Sequence, residues 1–197
     1  MIGVHRTDVP QSSRPGTPRA VSFAGMRTDR LLLRQWRESD VAPWAAMNAD
    51  PEVREHFPDL LTPEQSAASV ARFRADIDER GYGFWAVEVL DAGEFIGFTG
   101  LDPVDDAMPF TGIEIGWRLA RSAWGHGYAT EAALAGMAYG FEVLGVQEIL
   151  AITTATNVRS QAVMRRIGMT RDPADDFDDP SVPEGPLRRN VLYRVSR

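Results

Sequence analysis

SAWGHGYATEA, residues 122–132, is the stretch that decides the fold. It sets Gly125 and Gly127 two apart and then runs straight into Ala-rich sequence. Glycine in or near a helix costs about 1 kcal/mol against alanine. A pair at a helix start therefore means either a sharp turn or something approaching the backbone closely. Upstream, TGIEIGWRLA (111–120) alternates with period two and reads as a strand. Downstream, residues 128–144 read as a helix with Gly145 as its C-cap, and EILAITTA (148–155) reads as the next strand. The glycines thus sit at the strand-to-helix turn of a strand–helix–strand crossover.

The flanks extend this unit. DRLLLRQW (29–36) reads as a strand, and ESDVAPWAAMNAD (38–50) as a short helix with Ser39 as its N-cap. In LTPEQSAASVARFRADIDERG (61–81), Thr62 and Gln65 form a capping box with Pro63 at the first helical position. Val70, Phe73 and Ile77 make its apolar stripe, and Gly81 ends it. FWAVEVL (84–90), DAG and EFIGFTGL (94–101) read as a hairpin. NVRSQAVMRRIG (157–168) is a short helix closed by Gly168, and RRNVLYRVS (188–196) a last strand. Residues 1–25, rich in Pro, Ser, Gly and Arg, read as a disordered tail before a domain spanning 26–197, and Met26 is a candidate start. The layout is mixed α/β.

Bulk composition excludes several classes. The chain has 197 residues, 44% hydrophobic and 25% charged, which suits one domain with a packed core. There is no cysteine, so disulfide frameworks and thiolate catalysis are out. The three histidines, His5, His56 and His126, are far apart in sequence, and no metal site is expected. No apolar run is long enough to span a membrane, and the N-terminus has no signal-peptide pattern, so a cytoplasmic protein without a membrane partner is expected. The net charge of −7 disfavours nucleic-acid binding and suits cationic partners such as amines.

Three features carry chemistry. The glycines could strip away Cβ atoms so that N–H groups at a helix start cradle a pyrophosphate, or they could serve only a tight turn. In IEIGWRL, Glu114, Gly116 and Arg118 share one strand face, opposite Ile113, Ile115, Trp117 and Leu119. If helices cover both faces, Glu114 is partly buried, and a raised pKa would suit it to general base work. The alternative is a solvated Glu114, or one paired with Arg118. Asn157 ends a strand and starts a helix, which is the place of an N-cap with Ser160 at N3, or of an amide holding an extended ligand.

In this order, the features resemble the GNAT superfamily of acetyl-CoA-dependent N-acetyltransferases. The phosphate signature Gln/Arg-x-x-Gly-x-Gly/Ala reads here Trp124-Gly125-His126-Gly127-Tyr128-Ala129. Trp replaces the leading Gln/Arg, as in the RimJ/RimL-like branch, which WGHGYATEA, NVRSQAVMRRIGM and RTDRLLLRQW also resemble. The resemblance spans about residues 26–195. It implies a mostly antiparallel central sheet of about six to seven strands, helices on both faces and one splayed strand pair. It implies acetyl-CoA as co-substrate, its pyrophosphate held by the backbone of Trp124, Gly125, His126, Gly127, Tyr128, Ala129 and Thr130. The pantetheine arm would lie along Trp117, Arg118 and Leu119 with Asn157 opposite, and Arg165, in a basic set with Arg121, Arg159 and Arg166, would meet the 3′-phosphate. The partner would be an amine, from a protein N-terminus or a small molecule, with Glu114 as base. Trp36, Phe84, Trp85 and the 102–112 loop would line the acceptor side. Many family members carry an acidic Tyr where this chain has Met164, which leaves Ser160 as the candidate acid. A monomer or homodimer is expected. The alternative is a catalytically inactive acyl-CoA-binding or sensing module.

Overall fold

The runs of alternating residues assemble one sheet in the computed structural model, which describes residues 25–197. Its strands are β1 (Met26–Arg27), β2 (Leu31–Arg34), β3 (Phe84–Val89), β4 (Glu94–Pro103), β5 (Ile113–Leu119), β6 (Glu148–Thr154), β7 (Thr170–Arg171), β8 (Phe177–Asp178) and β9 (Arg189–Ser196). The helices are α1 (Val41–Asn48), α2 (Pro63–Arg80), α3 (Tyr128–Glu142) and α4 (Val158–Arg166). Six strands have four residues or more, as the alternation suggests, and the two-residue β1, β7 and β8 bring the sheet to nine. The expected tail at 1–25 falls almost wholly outside the described residues.

The strand order is β1-β2-β3-β4-β5-β6-β9-β7, with β8 also on β9. Every pairing is antiparallel except β5 with β6. That parallel pair is registered only at Ile113↔Ile149 and Glu114↔Leu150, and beyond Glu114 the strands part. A seven-residue strand that gives up its ladder after two residues leaves backbone polar groups open in the middle of a sheet.

Helices cover both faces. On one, the Phe73 ring of α2 lies 5.4 Å from Phe84, and the Trp44 ring of α1 lies 5.5 Å from Phe98. On the other, Tyr139 of α3 meets Trp85 at 5.2 Å. Helix α3 packs tightly because Gly136 and Gly140 face the sheet. A Cβ on Gly140 would come within 2.8 Å of Ile149 Cδ1.

The caps follow the sequence in part. Thr62 Oγ1 accepts from the Gln65 N–H at 3.2 Å and Gln65 Oε1 from the Thr62 N–H at 2.8 Å, completing the capping box. Ser39 is not the cap of α1. It lies inside a short 3₁₀ turn (Glu38–Asp40), and Asp40 accepts the Arg37 N–H at 2.7 Å while also pairing with Arg34. Nor is Gly145 the C-cap of α3, because the helix ends at Glu142 with Val143 as its cap.

Candidate active site

The turn before α3 answers the question its glycines raise. Gly125 has φ +81° and Gly127 φ +80°, both left-handed, so the turn itself requires glycine. Packing does not. A Cβ on Gly125 would meet nothing within 4 Å, and one on Gly127 would meet only Arg30 Nη2 at 3.5 Å. The space beside this backbone is open. The first helical bond of α3 runs from the Glu131 N–H to the Gly127 carbonyl. Among the described residues the N–H groups of 125–130 find no backbone acceptor. Unpaired donors at a helix start beside open space suit an anion such as a pyrophosphate.

Arg30, which nothing in the local sequence marks, locks the turn. Its Nη1 donates to the His126 carbonyl at 3.0 Å, its Nε to Glu131 at 2.7 Å, and its guanidinium lies 4.8 Å from the centre of the Tyr128 ring. Glu131 also accepts from Thr28 Oγ1 at 2.6 Å. The one carboxylate in the first turn is therefore matched by a cation.

Two clefts meet where β5 and β6 part. The first, of about 420 Å³, has Trp117, Leu119, Trp124, Gly125, Gly127, Tyr128, Ala129 and Thr130 on one side. Asn157, Arg159, Ser160 and Arg166 stand on the other, with Val53 and His56 at its edge. The second, of about 370 Å³, lies over the α1/α2 face and is lined by Phe84, Phe98, Glu114, Gly116, Arg54, Arg72 and Met164 among others. Trp117, Arg118, Asn157 and Ser160 border both. The fork in the sheet is the passage between them.

Glu114 opens into the second cleft. Burial, and then the nearby carboxylates Asp102 and Asp105, push its pKa up to about 7. Asp102 stands opposite it on β4 and pairs with Arg80 at 2.7 Å. The alternative, a Glu114–Arg118 pair, does not form. Arg118 instead donates from Nη1 to Asn48 Oδ1 at 2.8 Å and stacks 4.1 Å from the centre of the Phe57 ring. Its side chain thus packs against Asn48 and Phe57 on the α1/α2 side, where it borders both clefts.

Asn157 caps α4, its Oδ1 accepting the Ser160 N–H at 3.1 Å and its Nδ2 donating to Thr153 Oγ1 at 2.9 Å. The cap uses the Ser160 backbone N–H, and Ser160 lines both clefts.

Three expected site residues lie elsewhere. Trp36 (2% exposed) and Trp85 (0%) are core, not acceptor wall. The Trp36 indole donates to the Phe84 carbonyl at 2.7 Å. Arg165 lines neither cleft and donates to the Tyr193 hydroxyl at 3.1 Å, while its neighbour Arg166 lines the first cleft. The His126 ring stacks on Tyr128 at 5.5 Å outside the cleft, so that residue offers only its backbone. The 102–112 loop lines neither cleft: its Val104, Met108 and Phe110 pack against Leu150 and Leu192, and only the charges of Asp102 and Asp105 reach Glu114. The segment between α1 and α2, which has no periodic signal, supplies what sequence reading missed: Val53, Arg54, His56 and Phe57. It is tied across the cleft by ion pairs of Arg159 with Glu55 at 3.1 Å and of Arg121 with Glu52.

The chain is similar to known proteins. The family described as Acetyltransferase (GNAT) domain matches residues 30–170. The uncharacterized protein YkkB of Bacillus subtilis (strain 168) is 34% identical over 145 residues, covering 72% of this chain and 83% of that one. A crystal structure of an acetyltransferase from Agrobacterium tumefaciens str. C58 is 26% identical with a TM-score of 0.72, covering 94% of this chain and all of that one. RimL, a ribosomal L7/L12 alpha-N-protein acetyltransferase solved in complex with coenzyme A, has a similar fold at a TM-score of 0.69 and 17% identity, covering 90% of this chain and 98% of that one.

Proposed function

The chain belongs to the GNAT family of acetyltransferases, and from that premise we propose that it moves an acetyl group from acetyl-CoA to a primary amine by direct attack, with Glu114 as general base. The observation that carries this is the pair of clefts meeting at the forked strands, with the open glycine turn in one and Glu114 in the other. Acetyl-CoA suits the first cleft, where unpaired N–H groups of 125–130 would hold its pyrophosphate and Arg159 and Arg166 supply cations near the opposite wall. Backbone groups of Trp117 to Leu119, released from the ladder by the fork, are placed to bond an extended arm.

The amine enters from the second cleft. Amines are mostly protonated at neutral pH, with pKa values of about 8 to 10.4, so a proton must leave before attack. A carboxylate with a pKa of about 7 is matched to that task at the working pH. Nitrogen then attacks the thioester carbonyl, the C–N bond forms, the C–S bond breaks and the thiolate leaves. Ser160, which lines both clefts, would return a proton to sulfur. The motifs WGHGYATEA and NVRSQAVMRRIGM support a position near the RimJ/RimL-like branch. The reading is tested by following free thiol released from acetyl-CoA with and without a panel of amines and short peptides. Amine-dependent release, with an acetylated amine found by mass spectrometry, supports it. Acetyl-CoA consumption that no amine accelerates refutes it.

A further inference from the structure

The second cleft has a charge character that the protein as a whole lacks. The chain carries −7, yet the charged residues lining this cleft are Arg54, Arg72, Arg118 and Glu114. Among the described residues, none of the three arginines has a carboxylate hydrogen-bonded to it. Arg54 donates from Nε to the backbone carbonyl of Asp59 at 2.8 Å and stacks on Phe57 at 4.4 Å, although the Asp59 charge is near enough to be felt. Arg72, exposed on α2, lies 5.2 Å from the centre of the Phe73 ring, with Asp102 in range but already paired to Arg80. Among the described residues, Arg118 has only Asn48 as an acceptor, and its buried Nε has no partner. Burial and the neighbouring Arg54 push its pKa down to about 9. A guanidinium held out of water beside another cation, without a carboxylate, is a costly arrangement that an arriving anion relieves.

We propose that the acceptor is a small amine that also bears an oxyanion, a carboxylate or a phosphate, gripped by Arg118 with Arg72 and Arg54 while its amine faces Glu114. This rests on the acetyl-transfer reading for its chemistry, but the anion site stands on its own geometry. Glu114 and Arg118 lie four residues apart on one face of β5, so their Cα atoms are about 13 Å apart at the usual strand rise. The amine and the anion are therefore separated by a spacer rather than carried on one carbon. The planar guanidinium fork matches a carboxylate or phosphate in two-point hydrogen bonding. A cleft of about 370 Å³ walled by Phe84, Phe98 and Phe57 is the size of a small-molecule site.

The test measures binding and turnover separately. Protein saturated with coenzyme A is titrated calorimetrically with N-acetyl-γ-aminobutyrate, N-acetyl-ε-aminohexanoate and N-acetyl-aminopropylphosphonate, each against its neutral alkylacetamide. The expected result is at least tenfold tighter binding of an anionic compound, with the carboxylate and phosphonate arms naming which oxyanion is preferred. Arg72→Gln, on an exposed helix face, should cut that preference severalfold with an unchanged melting temperature, and Arg118→Gln should abolish it with coenzyme A binding checked in parallel. Equal binding of neutral and anionic compounds, a preference that neither variant reduces, or binding confined to acidic peptides overturns the proposal. Turnover separates it from the reading beneath it. Equal acetylation of free neutral and anionic amines refutes the anion site alone. Anion-selective binding without turnover of any amine supports the anion site and counts against acetyl transfer.

Discussion

Replacing Glu114 with Gln should stabilise the protein, and only at higher pH. In the folded chain burial, Asp102 and Asp105 hold the Glu114 pKa at about 7 against an ordinary value of 4.5. The folded state thus binds this proton more tightly than the unfolded state does. The sign follows: below pH 4.5 the group is protonated in both states and costs nothing, while above it the unfolded chain ionises freely and the folded chain resists. Stability is lost as pH climbs from about 4.5 to about 7 and stays lost beyond. The shift corresponds to about 3 kcal/mol. Gln keeps the shape and does not titrate. The assay is urea unfolding of both proteins at pH 4 and pH 8, with the difference between the two differences taken, so that any constant effect of Gln cancels. The expected gain for Glu114→Gln on going to pH 8 is about 3 kcal/mol as an upper figure, or about 6–12 °C in Tm for a chain this long. If the two proteins differ by the same amount at both pH values, Glu114 titrates as an ordinary carboxylate and the case for it as a tuned base fails.

Gly127→Val forces a β-branched residue to φ near +80° and fills the open space beside the turn, so acetyl-CoA affinity should fall at least tenfold. His126→Ala, whose ring lies outside the cleft, should leave affinity unchanged, and calorimetry on both variants checks the pair. Because Asn157 caps α4 and Ser160 does not, Asn157→Ala should cost about 1 kcal/mol in denaturant unfolding and Ser160→Ala less than about 0.5 kcal/mol. If Ser160 returns the proton to sulfur, Ser160→Ala should lower kcat roughly tenfold, about 1.4 kcal/mol, with acetyl-CoA affinity intact. An unchanged kcat removes it from the chemistry.

Local chemistry is the part of this protein that its sequence states openly. The Thr62–Gln65 box, the glycine pair at left-handed φ and the period-two strands each depend on neighbours within a few residues, and they form as written. What the sequence hides depends on distant partners. Arg30 serves a turn almost a hundred residues away, so no spacing rule points to it. Trp36 and Trp85 look like candidate acceptor contacts because aromatic residues serve walls and cores alike, and only the packing of α2 and α3 on opposite faces decides for the core. Arg165 and Arg166 are adjacent and chemically identical, yet the helical rotation of about 100° between neighbours sends one to Tyr193 and the other to the cleft. The arginine-lined second cleft draws on the non-periodic segment after α1, and net charge pointed the opposite way.

The most direct test of the central claim is the pH profile of kcat/KM for acetyl transfer, measured on wild type and Glu114→Gln with the same amine. The wild-type profile should bend at about pH 7, on top of any slope from the amine's own ionisation. The variant should lose that bend and run about 10²–10⁴ slower at neutral pH. A Glu114→Gln enzyme that keeps both the bend and the wild-type rate would contradict the account.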